Sequence, residues 1–412
     1  MRIDSGDTAW LLISTALVWL MIPGLALFYG GMVRRKNLLA TMMMSFAIIA
    51  VVSVLWVLYG YSLSFGPDNS GVIGGLDWLG LKNVGQDPSS VYATTVPHLA
   101  FMAFQAMFGI ITVALITGAV VERMKFSALL IFSALWLTLV YCPVAHWVWG
   151  SGGWLAKLGA LDFAGGTVVH VNAGVSALAL ALVLGPRKGF KEREPMEPNN
   201  IPMVVLGAGL LWFGWFGFNA GSALTSGGLA SSAFVSTNTS AASAVLTWMI
   251  LSWVNRKPSM LGAATGAVVG LVAITPAAGF VHPLAGIPIG AVASILSYQV
   301  MIWRSRANRV DESLDVFACH GIGGVWGAFA TGILATVIVN SSVAAGAIYG
   351  NGIQVLKQLA SVGVVGGYSF GVSWGIARIL KATMGLRVSA TEETVGLDIA
   401  QPGERAYGGM LR

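Results

Sequence analysis

The sequence predicts an all-α polytopic membrane protein with eleven transmembrane helices. Three observations carry this prediction. Charged residues make up only 10% of the 412 residues, against roughly 25% in an ordinary soluble domain. Hydrophobic residues make up 56% and gather into runs of the length that a bilayer core of about 30 Å demands of a helix. Lysine and arginine cluster in alternate gaps between those runs, as loops on one side of a membrane do. The same composition excludes a soluble enzyme, a disordered chain and a nucleic-acid-binding module. The net charge of +6 belongs to the loops.

The runs fall at residues 8–32, 38–64, 97–121, 126–149, 164–185, 200–223, 231–254, 259–277, 284–303, 315–339 and 352–384. The first follows only Arg2, outlasts the apolar region of a signal peptide and lacks a small-residue cleavage site, so it reads as a retained helix. The fifth and eighth are short and rich in Gly and Ala. The eleventh is long enough to tilt, or to leave the bilayer as a continuing helix. Glycines recur at four-residue spacing in Gly262-x3-Gly266-x3-Gly270, Gly323-x3-Gly327 and Gly367-x3-Gly371-x3-Gly375. Small residues so spaced let helix backbones approach closely, which predicts a tightly packed body.

An odd number of spans puts the two termini on opposite sides. Nineteen of the 23 lysines and arginines lie in one set of loops and the C-terminal end, including Arg34-Arg35-Lys36, Arg256-Lys257 and Arg412. The other side holds Arg2, Lys82, Lys157 and Lys357. This asymmetry places the N-terminus outside and the C-terminus in the cytoplasm. Residues 1–385 form the membrane domain. Residues 386–412 form a polar cytoplasmic tail with Glu392, Glu393, Asp398 and Glu404, running through Gly403-Glu404-Arg405-Ala406-Tyr407-Gly408-Gly409. The longest outer loop is 65–96. Cys142 and Cys319 offer neither a disulfide framework nor a C-x-x-C metal pattern and read as small buried apolar residues. No cofactor is called for.

Ionisable residues inside spans are expensive and are functional candidates for that reason. His170 lies in the fifth span and His320 in the tenth, while Asp162 precedes the fifth and Asp315 opens the tenth. Spans one to five and six to ten run in opposite senses, the arithmetic of an inverted repeat with its site at the midplane. The eleventh span is an addition to it. The two histidines then occupy equivalent places, and a pseudo-two-fold axis brings them face to face. Each alone would read as an interhelical hydrogen-bonding residue; the matched pair favours a pore lining. His98, His146 and His282 lie near outer ends, where wet structural roles are expected. Phe101, Phe104 and Phe108 share one face of the third span, with Gln105 beside them. Trp147 and Trp149 end the fourth. Periodicity alone leaves such aromatics open to ordinary packing or an interfacial belt.

The chain resembles the ammonium transporter (Amt/MEP/Rh) family. The resemblance rests on Ala26-Leu27-Phe28-Tyr29-Gly30-Gly31, Ala103-Phe104-Gln105-x-Met107-Phe108, Ala145-His146-x2-Trp149-Gly150, Leu161-Asp162-Phe163-Ala164-Gly165-Gly166-Thr167-Val168-Val169-His170, Trp215-Phe216-Gly217-Phe218-Asn219-Ala220-Gly221-Ser222 and Asp315-Val316-Phe317-x2-His320-Gly321. It is collinear from about residue 5 to the tail. It implies a homotrimer in the plasma membrane, each subunit carrying its own pore for ammonium or ammonia, with methylammonium as a further candidate substrate. It implies an outer recognition site of Trp149, Phe104 and Ser222, with Asp162 as a nearby acid needed for structure and function. Below lie a phenyl gate of Phe108 and Phe218 and a twin-histidine pair of His170 and His320. Trp215, Thr275, Phe28 and Tyr29 are implied as pore wall. Trp149 and Ser222 favour the Amt branch over the Rhesus branch. The tail, with Gly396-Leu397-Asp398, is similar to a segment where a PII-type signalling protein can dock in bacterial and archaeal members. The alternative is a tail that only braces neighbouring subunits.

Three rival readings compete. An intramembrane protease would need a Gly-x-Ser-Gly at a helix start facing a histidine, and the sequence lacks it. A sensor with little flux is disfavoured by the short tail. A Rhesus-like passive gas channel is disfavoured by the outer aromatics.

Overall fold

The computed structural model describes residues 2–255 and 257–407. Arg256, Gly408, Gly409 and Arg412, counted above among loop and tail residues, lie outside the described residues. Eleven main helices follow in order: α1 (Ser5–Met32), α2 (Arg35–Phe65), α3 (His98–Thr117), α4 (Phe126–Leu158), α5 (Gly166–Leu184), α6 (Ile201–Gly221), α7 (Gly228–Asn255), α8 (Met260–Ile274), α9 (Pro283–Ala307), α10 (Phe317–Leu334) and α11 (Ile353–Thr383). Ten of them are long and apolar enough to cross a membrane; α8, with 15 residues, is the shorter apolar helix among them. Two short helices, α12 (Ala390–Val395) and α13 (Leu397–Ala400), belong to the tail. The loop at 65–96 carries two small antiparallel hairpins, Asp68–Asn69 with Ile73–Gly74 and Pro88–Ser89 with Ala93–Pro97.

Local chemistry sets the helix ends. Asp4, Asn200 and Ser259 accept the orphan N–H groups of Asp7, Met203 and Gly262 at the starts of α1, α6 and α8, the usual work of N-cap side chains. Asn308 (φ 49°) ends α9 in the left-handed conformation that terminates helices, and Gly185 ends α5 with a positive φ of 86° that glycine adopts freely.

The two halves meet first through α1 and α6. A Cβ added at Gly207 would stand 2.4 Å from the Phe28 nitrogen. One at Gly214 would meet Met21, one at Gly217 would meet Leu17, and one at Gly221 would meet Ser14. Rising numbers on α6 meet falling numbers on α1, so the two helices run antiparallel, as an inverted repeat demands. On α8, Gly262 and Gly266 lie against Trp248 and Gly270 lies against Ala244 and Ser240, all on α7. Gly323 and Gly327 of α10 lie against Val272 and Ala273. Within the single chain nothing stands within 4 Å of a Cβ at Gly367, Gly371 or Gly375. α11 packs instead through Ser361, Val365, Ser369 and Ser373. That stripe is two residues out of phase with the glycines, so the glycines fall on the far side of the helix.

The loops that alternate along the chain gather at one end of the bundle. Glu122 accepts from Arg34 Nε at 3.0 Å, Asn37 Nδ2 at 2.8 Å and Arg187 Nη1 at 2.7 Å. Arg187 also binds Asp311 through Nη2 at 2.8 Å. Burial alone would raise the Glu122 carboxyl, but Arg187 and Arg34 hold it below the usual carboxylate range. The tail folds back onto this end. Leu397 N donates to Asn37 Oδ1 at 2.8 Å, Ala40 N to Asp398 Oδ1 at 2.9 Å, and Arg387 Nη2 to Glu393 Oε2 at 2.6 Å.

Candidate functional site

Aromatic side chains from α3, α4 and α6 form a ladder that descends to the two histidines. Trp149 packs edge-on to Phe108, ring centres 5.7 Å apart. Phe104 lies 4.9 Å from Phe108, and a Cβ at Gly221 would meet its ring, so it stands beside Ser222. Phe108 and Phe218 lie 4.4 Å apart with ring planes 33° from parallel, and both are buried. His170 follows at 6.0 Å from Phe218 and is stacked at 5.4 Å on Trp215. The sequence-predicted outer site, gate and pair thus form one continuous stack.

The Ser222 hydroxyl donates to the Phe218 carbonyl at 2.8 Å, which leaves its lone pairs free to accept. Gln105 and Asn219 each bury a side-chain oxygen with no partner among the described residues. Asn219 is held by Nδ2 donating to Thr237 Oγ1 at 2.9 Å. Asp162, expected at the binding site, has no oxygen to spare. Oδ1 accepts from Gly165 N and Gly166 N at 2.8 and 2.6 Å; Oδ2 accepts from Thr167 N and Val168 N at 2.8 and 3.0 Å. It caps the start of α5, and its carbonyl accepts Trp149 Nε1 at 2.8 Å. Its acceptors are thus committed to backbone N–H groups and its carbonyl to the Trp149 indole.

His170 Nδ1 and His320 Nδ1 lie 3.3 Å apart, the rings 5.3 Å between centres. One nitrogen must then carry the shared proton and the other accept it. With both rings neutral, one Nε2 is left as an acceptor and the other as a donor. His170 Nε2 is buried without a partner among the described residues. Both histidines sit in single π-helical turns, Gly166–Val171 and Phe317–Ile322. Such turns recur at functional sites. The packing repeats across the pseudo-two-fold: Gly174, four residues after His170, lies against Gly321, and Gly324, four after His320, lies against Gly166 and His170.

The cavity at the histidines is lined by Met21, Leu25, Phe28, Ile111, Leu115, Leu211, Trp215, Phe218 and Val268 along with the pair. Its volume is about 10 Å³, room for about one water-sized molecule. Two expected wall residues stand behind the lining. Thr275 Oγ1 accepts Trp215 Nε1 at 2.9 Å, and the Tyr29 hydroxyl donates to the Leu115 carbonyl at 3.1 Å.

Other expectations are corrected. His98 and His146 are not wet: His98 Nε2 lies 2.6 Å from the buried Tyr61 hydroxyl, and His146 lies between the Ser64 carbonyl and Asp68. His282 is exposed. Asp315 is held in a two-point pair with Arg304 at 2.8 and 2.7 Å, away from the cavity lining. Sequence reasoning missed Glu312, which accepts Phe317 N at 2.9 Å at the start of α10. The signal was present, since Asp162 and Glu312 each precede their histidine by eight residues. Among the described residues no group of three or more His, Cys, Asp or Glu could hold a metal ion.

The description "Ammonium Transporter Family" belongs to the family model that matches residues 9–407. The chain is 51% identical over 403 residues to an ammonium transporter of Bacillus subtilis (strain 168), covering 98% of each chain. It is similar to the crystal structure of Saccharomyces cerevisiae Mep2, with a TM-score of 0.90, 38% identity, and coverage of 98% of this chain and 92% of that one. It is also similar to a structure described as a sensor Amt protein, with a TM-score of 0.88, 29% identity, and coverage of 96% and 98%.

Proposed function

This chain belongs to the ammonium transporter family, and from that premise we propose how it recognises and conducts its substrate. It is a multi-pass membrane protein that transports ammonium, and it is a transporter rather than an enzyme. In the proposed reading α1 to α11 all cross the plasma membrane, with the N-terminus outside and the tail cytoplasmic. Residues 1–385 form the membrane domain and 386–412 a regulatory tail open to a PII-type protein. The working assembly is a homotrimer.

Ammonium and potassium are alike in size and charge, so field strength alone separates them poorly. Ammonium differs in donating hydrogen bonds and in being able to lose a proton. Trp149 and Phe104 hold the cation over their ring faces, worth about 0.5–2 kcal/mol per contact. Ser222 accepts an N–H bond that potassium cannot offer. The Phe108–Phe218 pair and the apolar wall below make an intact ion costly to move. Ammonium gives up a proton near this gate, and neutral ammonia passes His170 and His320. The proton follows separately, with the histidine pair as its relay. Methylammonium shares the donor chemistry and is the natural analogue.

The observation that carries this reading is the pair of imidazoles 3.3 Å apart at the foot of the aromatic ladder. The test is charge movement in proteoliposomes after an ammonium pulse, with potassium as control and the His170→Ala, His320→Ala double variant alongside. An ammonium-selective current that the variant loses, or conducts without selectivity, supports transport through the pair. Rising internal pH without current favours a Rhesus-like passive channel. Neither signal favours the sensor reading, to which the resemblance to a sensor Amt protein lends weight.

A further inference from the structure

Asp162 and Glu312 hold matching places before the two histidines, and each caps the helix that carries its histidine. They are not used alike. Asp162 has both oxygens filled by four backbone N–H groups. Glu312 gives Oε1 to Phe317 N, while Oε2 is buried with no partner among the described residues. The residue is 1% exposed. A bare carboxylate oxygen in such a place is costly, and a protonated carboxyl is far less so.

The charged neighbours relieve it only in part. Asp311, beside it in the chain, is bound to Arg187 and flanked by Arg123. Arg304 on α9 is the cation within reach, and Asp315 already holds it through two nitrogens. Asp315 itself adds a like charge. The Tyr29 hydroxyl on α1 and the Cys319 thiol on α10 lie within electrostatic reach of Glu312. Burial first, and Asp315 second, push the Glu312 carboxyl up to about 8. A group of that strength gains and loses its proton near cytosolic pH, where a proton-transfer group works best.

We propose that Glu312 is the inner proton port of this transporter, taking up the proton that crosses the pore apart from ammonia and releasing it to the cytosol. The inference rests on the reading above in which His170 and His320 relay that proton. Glu312 lies in the turn before α10, eight positions ahead of His320, and makes no hydrogen bond to it, so the transfer runs through water, and the bare Oε2 is the atom that receives it. The step is proton transfer alone. The Glu312 carboxylate takes H⁺ from the water chain below His320, and the resulting acid passes it to cytosolic water. A Cβ at Gly118 would meet both the Tyr29 ring and Val316, so Tyr29, next to Phe28 of the cavity wall, lies by the turn that carries Glu312, while Glu312 itself is outside the cavity lining.

The test uses the full-length protein in proteoliposomes, reading ammonium-evoked current and internal pH together. Glu312→Gln is expected to lose at least tenfold of the current while ammonia-driven internal alkalinisation stays within about twofold of wild type. The wild-type current is expected to rise as internal pH passes upward through about 8, because the port must be ionised to take the next proton. Glu312→Gln flattens that profile, and Glu312→Asp restores current with the inflection displaced. Wild-type current and pH profile in Glu312→Gln would overturn the inference. So would joint loss of current and alkalinisation in both variants, which marks a structural cap. A wild type that alkalinises without current overturns it while leaving the transporter reading intact. No ammonium response of either kind sinks the transporter reading itself.

Discussion

At the scale of single residues, position in the sequence and role in the structure part company most clearly at Asp162. An acid beside a cation site suggests a direct ligand. The fold instead spends all of its acceptor capacity on four backbone N–H groups at the start of α5. Each buried donor left unpaired costs about 1–3 kcal/mol. Asp162→Ala is therefore expected to lower thermal stability severely, and Asp162→Asn somewhat less, since its amide keeps one oxygen and turns an NH2 group on the other two donors. The ammonium concentration for half-maximal transport should change less than threefold in whatever folded Asp162→Asn protein remains. Thermal unfolding in detergent beside a transport titration checks this. An Asn variant of normal stability with tenfold weaker ammonium use would make Asp162 a ligand. The closeness of Phe108 to Phe218 and of His170 to His320 was legible in the sequence because each residue sits in a compact motif of distinctive residue types. The capping geometry was not, because it depends on where a turn of backbone points its N–H groups.

At the scale of elements, α5 and α10 cross at the histidines because glycine lets them. A Cβ at Gly174 would stand 2.3 Å from the Gly321 nitrogen and 2.5 Å from its Cα. One at Gly324 would lie 2.8 Å from the Gly166 carbonyl oxygen. Backbone atoms cannot swing aside, so the helices must separate. Alanine in a helix gains up to about 1 kcal/mol over glycine, whereas overpacking costs about 1–3 kcal/mol. The second effect wins at a contact this close. Gly174→Ala is expected to lower the unfolding midpoint and to cut ammonium transport at least tenfold by moving the Nδ1 atoms apart, with Gly324→Ala milder. An unchanged midpoint and flux in Gly174→Ala would show that the crossing tolerates a methyl group. Spans were readable because a bilayer imposes long apolar runs. The π turns at His170 and His320 were not, since hydrogen-bond register leaves no trace in composition. Within one chain the spacing of Gly367, Gly371 and Gly375 names no packing partner, for a related reason. Four-residue spacing marks a face of a helix but does not say what lies opposite it, and the neighbouring Ser361–Ser373 stripe took the packing role on α11.

At the scale of the whole molecule, basic loops far apart in sequence meet at one end, and Asn37 ties the tail to them beside Lys36, Lys188 and Asp398. Asn37 donates to Glu122 at 2.8 Å and accepts from Leu397 N at 2.8 Å. It joins the tail to the Glu122–Arg187–Asp311 ion network, which runs on to the residue beside Glu312. The alternation of charged and apolar stretches made this sidedness legible. The docking of the tail was not legible, because its short polar helices read equally as solvated chain. Arg405 is exposed, while Arg387 is engaged with Glu393 and the Pro186 carbonyl. Trypsin should therefore clip wild-type protein first at Arg405. The proposed orientation requires that it do so in inside-out vesicles and not in sealed right-side-out ones. Asn37→Ala removes a buried hydrogen-bond partner from both the tail and the network, and each such loss costs about 1–3 kcal/mol. With that tie gone and Lys36, Lys188, Asp398 and Gln401 left to hold it, the tail should open more often, and cleavage at Arg387 should become at least fivefold faster than in wild type. Cleavage of right-side-out vesicles would invert the topology. Unchanged cleavage at Arg387 in Asn37→Ala would mean that Asp398 at the start of α2 and Glu393 at Arg387 hold the tail without it.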